Sequence, residues 1–285
     1  YMIVHLVVDP LVTTAGAVRP AILLAREFRR ISDSVSLITP QVNVDIQEML
    51  NELKIDVKVL GFKQVFTRSF PNLDAWIQNL IKNRILDREE DVDVVLNTSS
   101  CIAIQSEAYY CQGLMTDTIK GISNVMPVKY KFIYNLIDYP LRIMERKFVR
   151  KLRSLSESFI ANSNFCASTY LKWGVKIDGV IYPPLDCSFF KPLSSRPSAD
   201  YVLTCLGIYG KEGNISVIKR VADLGVSIKI FGKLDHMSIR PLKHPNIEFL
   251  GEVSDEELVE LYSCLLYTSD AADDGESVDL GGRRI

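Results

Sequence analysis

The stretch Gly207-Ile208-Tyr209-Gly210-Lys211-Glu212-Gly213 joins an apolar segment, YVLTCLG, to a segment with helical spacing, NISVIKRVADLG. Glycines at 207, 210 and 213 let backbone amides approach an anion closely, and a helix N-terminus directly behind them favours negative charge. Lys211 adds a mobile cation. Together these residues suit a phosphate or diphosphate. The spacing is neither a Walker A loop nor Gly-x-Gly-x-x-Gly. The other reading is a tight strand-to-helix turn that uses glycine for geometry alone. Gly16, in the first such turn of the chain, and Gly232, just after SIKIF, pose the same alternative: a turn, or close backbone approach to a ligand.

Other chemistries find less support. His5, His236 and His244 have no metal-ligand spacing, and His5 lies within an apolar segment that predicts a buried structural role. No metal site is expected. The six cysteines are scattered without paired ligand spacing, as reduced intracellular thiols would be. No Gly-x-Ser-x-Gly nucleophile elbow is present. Asn135 and Asp138 fall in an expected strand-end loop, Asn135–Pro140, where Asp138 is a general base, an acceptor contact or a loop cap. Two N-glycosylation sequons, at Asn97 and Asn214, carry little weight without a secretory leader. Arg142–Arg153 places Arg142, Arg146, Lys147, Arg150, Lys151 and Arg153 against Ile143, Met144, Phe148, Val149 and Leu152. Such a helix either lies against anionic lipid or presents a solvated face above a packed stripe.

The elements that must position these residues alternate. The apolar run Met2–Val8 reads as a buried parallel strand, and Val35–Thr39, Asp56–Leu60 and Val92–Leu96 read as further strands. Lys131–Leu136 and Ser158–Asn162 read as two more. Helical spacing covers AILLAREFRR after Pro20, Val44–Leu53, Asn72–Leu86 and Arg142–Leu155. The alternation predicts an α/β fold with a doubly wound parallel sheet and right-handed crossovers, whose ligands bind beyond the carboxyl ends of the strands. That singles out the loops Asp9–Gly16, Asn97–Ser100 and Asn135–Pro140. After a Pro- and Ser-rich stretch a second alternation starts at Tyr201, and Ser254 with Glu257 forms a capping box for its last helix.

The chain has 285 residues, 47% hydrophobic and 24% charged, with a formal charge of −2, which excludes a disordered or small disulfide-rich protein. Its charge gives no footprint for nucleic acid, and no apolar run approaches the ~18–20 residues that span a bilayer. No signal peptide is read at the start.

The final stretch, CLLYTSDAADDGESVDLGGRRI, breaks the pattern. Cys264–Asp273 and Val278–Ile285 can each be back-translated into sequence resembling a transposase-type sequencing adapter, and the bases between them suit a sample index. The alternative is a natural polar tail. On the adapter reading genuine sequence stops near Ser263 and the chain is truncated. Its 33 basic and 35 acidic residues then become 31 and 30 once the tail's two and five are removed.

Taken together, the pattern resembles a GT-B glycosyltransferase of family 4, the retaining nucleotide-sugar enzymes. The strongest stretch is FIANSNFCASTYLKWGVKIDGVIYPPLDCSFFKP, Phe159–Pro192, which is similar to that family's signature at the end of the first domain. NIEFLGEVSDEELVELY, Asn246–Tyr262, is similar to its strand and helix flanking the nucleotide base. The resemblance implies two Rossmann-like domains, an acceptor domain over 1–182 and an incomplete donor domain over 201–263; the Pro- and Ser-rich composition makes 183–200 the linker, and the adapter reading makes 264–285 an artefact.

It also implies that the donor is held mainly by the second domain, at Gly207, Gly210, Lys211, Gly213 and Gly232, with the base against Phe249, Leu250 and Gly251, and Gly16 facing it. Ile208 stands where the family carries arginine, so Lys211 is the expected phosphate contact. Asn135 and Asp138 are the expected acceptor contacts. No cofactor is implied beyond the nucleotide-sugar substrate, and the acceptor is a carbohydrate or lipid-linked. The family's paired glutamates would lie beyond Ser263, so this version of the chain is expected to be inactive and its full-length parent active. The implied location is cytoplasmic, with peripheral contact at the inner membrane face through Arg142–Arg153. Alternatives are a sugar-nucleotide epimerase or phosphorylase on the same fold, or a non-catalytic binding protein.

Overall fold

The computed structural model describes residues 2–263 apart from 15, 66–70, 124–127, 192, 194–199, 207–211 and 233–241, and omits the side chains of 122, 128–130 and 212–214. In chain order the elements are β1 (Ile3–Val7), α1 (Arg19–Ile31), β2 (Ser34–Thr39), α2 (Val44–Glu52), β3 (Asp56–Val59), α3 (Pro71–Lys82), β4 (Ile85–Leu86), β5 (Val94–Asn97), β6 (Ala103–Ile104) and β7 (Ser106–Cys111). There follow α4 (Met115–Ser123), α5 (Val128–Leu155), β8 (Ser156–Ala161), α6 (Asn164–Lys172), β9 (Gly179–Val180), β10 (Val202–Cys205), α7 (Glu212–Asp223), β11 (Ile228–Phe231), β12 (Ile247–Gly251) and α8 (Asp255–Ser263). They form two units, Tyr1–Asp117 with Ile137–Leu185, and Thr118–Leu136 with Asp186–Ile285.

The first unit is built on a seven-stranded sheet ordered β3-β2-β1-β5-β7-β8-β9, every pairing parallel. A parallel sheet is covered on both faces, and the residues of β1 and β2, His5 apart, are accordingly apolar or small and almost all buried. Helix α1 packs Ala21 and Ala25 into the cluster formed by Val4, Leu6, Leu37 and Leu50. Pro20 sits in its first turn, where the missing N–H costs nothing. The order of the strands reverses between β1 and β5, which makes that gap the topological switch point of the sheet.

The second unit contains a parallel three-stranded sheet, β10-β11-β12, backed by Ile218 and Ala222 of α7 and by Leu242. Helix α8 opens on the capping box: the Glu257 carboxylate accepts from Ser254 N at 2.7 Å, and the Ser254 hydroxyl accepts from Glu257 N at 3.2 Å. Within the signature-like stretch, the Ser163 hydroxyl caps α6 by accepting from Cys166 N at 3.1 Å, and Gly174 ends that helix region at φ +76°.

Two expectations are corrected. Lys131–Leu136 is not a strand but part of α5, a 28-residue helix that runs through Pro140 without a break, so the loop expected at Asn135–Pro140 is helical too. The apolar residues Phe132, Leu136, Tyr139 and Ile143 recur at helical spacing, which the short run KFIYNL conceals. The strand that fills the place beside β5 is instead β7, whose sequence SEAYYC has none of the valines, isoleucines and leucines that mark the other strands beside it. Residues 264–285 lie outside the described residues.

Candidate functional site

The carboxyl edge of the first sheet gathers polar groups at its switch point. Asp9 follows β1 and the segment Thr98–Ser100 follows β5; Thr98 N and Oγ1 both donate to the Val7 carbonyl, at 2.8 and 3.0 Å. The Asp9 carboxylate, only 8% exposed, accepts from Ser99 Oγ at 2.7 Å, Ser100 N at 2.9 Å and Ser100 Oγ at 2.9 Å. Burial pushes the Asp9 carboxyl up from its ordinary value, against the pull of the Ser99, Cys101 and Ser100 bonds. The Asn97 amide is also buried, donating to the Ile102 carbonyl at 2.9 Å and accepting from Ser99 N at 2.9 Å, so its sequon is closed to modification in the folded chain. Both loops are legible as strand-end loops. Their pairing through Asp9 is not, because 90 residues separate Asp9 from Ser99.

The expected site residues separate into three groups. Gly16 lies in this first edge at φ +67°, and a Cβ added there would meet no atom of the described residues within 4 Å; the glycine is needed for the turn, not for close packing. The second group lies on the second unit. Gly232 follows β11 at φ +124°, and its N–H donates to the Gly251 carbonyl at the end of β12, at 2.7 Å. Phe249, Leu250 and Gly251 are the last residues of β12, with Phe249 packed on the unit's core. Gly213 stands in the first turn of α7. Gly207, Gly210 and Lys211 lie outside the described residues. The third group does not sit in a loop at all. Asn135 and Asp138 are on α5, Asn135 exposed and Asp138 accepting from Arg142 Nε at 3.0 Å, one helical turn away.

The basic segment Arg142–Arg153 is largely tied to the protein. Arg142 pairs with Asp117 at 2.9 Å and with Asp138, Arg146 donates to the Trp173 carbonyl, Lys151 to the Asn83 carbonyl, and Arg153 pairs with Asp178 at 3.1 Å. Phe148, Val149 and Leu152 beneath them are buried. His5 is buried in β1, with Nε2 3.3 Å from Lys58 Nζ. Burial first and the Lys58 charge second hold its pKa below the ordinary value, so it is neutral at pH 7. Among the described residues there is no group of three or more His, Cys, Asp or Glu that could hold a metal ion, and no helix is long and apolar enough to cross a membrane.

No family model and no curated protein matches the sequence. Solved structures do. The chain is similar to Anabaena HepE in complex with UDP and glucose, at 13% identity over 93% of this chain and 72% of that one, with a TM-score of 0.56. It is similar to a glycosyltransferase from Rickettsia africae ESF-5, at 16% identity over 92% and 71%, TM-score 0.53. A third likeness is to WaaG, a glycosyltransferase involved in lipopolysaccharide biosynthesis, at 11% identity over 91% and 72%, TM-score 0.52. At such identities the likeness is one of fold: the chain has the α/β architecture of GT-B glycosyltransferases.

Proposed function

We propose that the protein is a glycosyltransferase of the family 4 kind, moving a hexosyl group from a nucleotide-sugar donor to a carbohydrate or lipid-linked acceptor with retention. One observation carries the reading. In the second unit β11 and β12 end side by side, with Gly232 N donating to the Gly251 carbonyl at 2.7 Å, and in the amino-acid sequence the glycine-rich stretch with Lys211 immediately precedes α7. A diphosphate seated there would face a helix N-terminus and one mobile cation. HepE has been solved with UDP, with UDP and glucose, and with UDP-glucose, which supports a nucleotide-sugar as the ligand here. Retaining transfer asks little acid–base chemistry of the protein when the leaving phosphate assists the incoming hydroxyl. Positioning and stabilising the departing diphosphate then dominate.

The test has two parts. The gene is read from its source DNA past the codon for Ser263, and the chain it encodes is titrated calorimetrically with UDP and assayed for UDP release from UDP-glucose. Saturable UDP binding that falls about tenfold in Lys211→Ala, the loss of one charge-assisted contact, is expected. Absence of nucleoside diphosphate binding overturns the reading, and binding without turnover on any acceptor favours a binding protein.

Membrane contact is proposed through the same helix as before, α5, but through its apolar stripe. Phe132, Leu136, Tyr139 and Ile143 follow one another along one face of α5 and are 64%, 65%, 75% and 40% exposed. Lys147 and Arg150 continue the helix with cations. An amphipathic helix of this kind enters the headgroup region of anionic bilayers. Co-sedimentation with vesicles containing anionic lipid is expected for the chain, reduced about tenfold in Leu136→Asp by the lost apolar burial. Equal sedimentation of parent and variant would sink the idea.

A further inference from the structure

The first unit contains a cavity of about 200 Å³ that none of the expected donor or acceptor residues lines. Pro40, following β2, Leu60 to Phe62, following β3, and Cys101 to Ala103, beyond β5, form its floor at the carboxyl edge of the sheet. Helix α3 forms one wall. Its Gln78, Asn79 and Lys82, together with Arg84 just beyond the helix, bring polar groups to a lining otherwise set by Leu60, Phe62, Ala75, Leu86 and Ile102.

The polar groups are donors. Asn79 Nδ2 is buried without a hydrogen-bond partner among the described residues, an arrangement that costs free energy unless something accepts from it. Lys82 Nζ lies 3.1 Å from Gln78 Oε1, so its neighbour in the wall is a neutral amide. Gln78 is committed elsewhere: its Nε2 donates to the Lys63 carbonyl at 2.8 Å and to Asp74 Oδ1 at 3.0 Å, which locks that side chain and with it the position of the Lys82 ammonium. Arg84 adds a guanidinium fork. Among the described residues, no aspartate or glutamate lines the cavity. Two cations and an unspent amide donor above an apolar floor select for a ligand with an anionic group at one end and a compact ring at the other. The volume exceeds the roughly 150 Å³ that admits a benzene ring in an apolar cavity.

We propose that this cavity binds a monosaccharide-sized ligand bearing a phosphoryl or carboxylate group, with Asn79, Lys82 and Arg84 holding the anion and the Leu60–Phe62 segment the ring. Calling that ligand the acceptor, or its terminal unit, rests on the glycosyltransferase reading; the binding itself does not. UDP titration tests that reading and leaves this one untouched.

The experiment is calorimetric titration of the chain with glucose 6-phosphate, glucuronate, glucose and inorganic phosphate. Saturable binding of glucose 6-phosphate or glucuronate is expected, the stronger of the two identifying the anion. Glucose and inorganic phosphate should each bind at least about tenfold more weakly, one charge-assisted contact or the ring contacts being lost. Arg84→Gln should weaken the sugar anion about tenfold and, being on the surface, leave the melting temperature unchanged. Asn79→Leu separates the site from the fold: it removes a buried unpaired donor, so its melting temperature should hold or rise while sugar-anion binding falls. No binding of either sugar anion, equal binding of glucose or of inorganic phosphate, or binding indifferent to Arg84→Gln and Asn79→Leu would each overturn the proposal.

Discussion

Gly232→Ala is expected to unfold the second unit, with a loss of more than about 3 kcal/mol, the range of severe backbone and packing lesions. A Cβ built on Gly232 falls 2.2 Å from the Leu206 carbonyl oxygen and 3.1 Å from its carbon, where the obstacle is main chain and has no rotamer to yield. The backbone there is at φ +124°, a region L side chains rarely adopt. Relief by moving Leu206 would break its own N–H bond to the Phe231 carbonyl at 2.9 Å, and moving Gly232 would break the bond to Gly251 at 2.7 Å. Strain at one residue therefore spreads to the ends of β10, β11 and β12 together. Gly16→Ala supplies the comparison. Its φ of +67° is also left-handed but, among the described residues, nothing lies within 4 Å of the new methyl, so it should cost only about 1–2 kcal/mol. Urea denaturation followed by circular dichroism measures both. Equal, small losses at the two positions would mean that the strand ends of the second unit are not packed as described.

The second large effect is at Glu145. Helix α4 begins at Met115, and its first N–H groups have no partner within the helix. The Glu145 carboxylate, reaching over from α5, accepts from Met115 N at 2.7 Å, from Thr116 N at 3.2 Å and from the Thr116 hydroxyl. It is 3% exposed. Glu145→Ala leaves three donors without this acceptor in a buried place and should cost about 2–4 kcal/mol, the sum of a lost cap and unpaired polar groups.

The pH dependence has a definite sign. Burial pushes the Glu145 carboxyl up from 4.5 to about 6, against the Thr116 and Met115 bonds and with help from the Asp117 charge. Below the unfolded value the group is protonated in both states. Between about 4.5 and 6 the native state binds more protons than the unfolded one, so this group's contribution falls as pH rises through that window, by about 2 kcal/mol at most. In Glu145→Gln that segment should vanish. The amide still accepts at one oxygen, so at pH 7 it should be less damaging than alanine. Midpoints of urea unfolding at pH 4.5, 5, 6 and 7 decide it: a parent-minus-glutamine difference that stays flat across the window would remove Glu145 as a titrating group.

The long helix α5 shows where reading by pattern fails. Pro140 removes one intrahelical donor and crowds the preceding turn, a cost of about 3 kcal/mol or more in a helix interior, so a local reading ends the element there and takes the apolar run before it for a strand. The burial of Phe148, Val149 and Leu152, and the tie from Glu145 to α4, anchor the half of the helix after Pro140. These partners are distant in sequence. The strand β7 escapes a local reading for the opposite reason: SEAYYC has little apolar signal, and it is held by pairing with β5 on one side and β8 on the other.

What the amino-acid order determined unaided is the local physics. Runs such as Ile3–Val7 and Val94–Asn97 form parallel strands because both faces of the sheet must be covered, and the serine caps at 163 and 254 start their helices because the first N–H groups of a helix need acceptors. The α/β alternation followed from these, while the resemblance to GT-B glycosyltransferases rested on the stretches Phe159–Pro192 and Asn246–Tyr262. Only the tertiary structure decided which strand ends meet. It joined Asp9 to Ser99 and Ser100, pressed Gly232 against Leu206, and gathered donors around an open cavity beside Asn79. The reason is one of range: caps and strand runs rest on contacts within a few residues, whereas the chemistry of a site rests on groups that only the crossover connections of the sheet bring into reach.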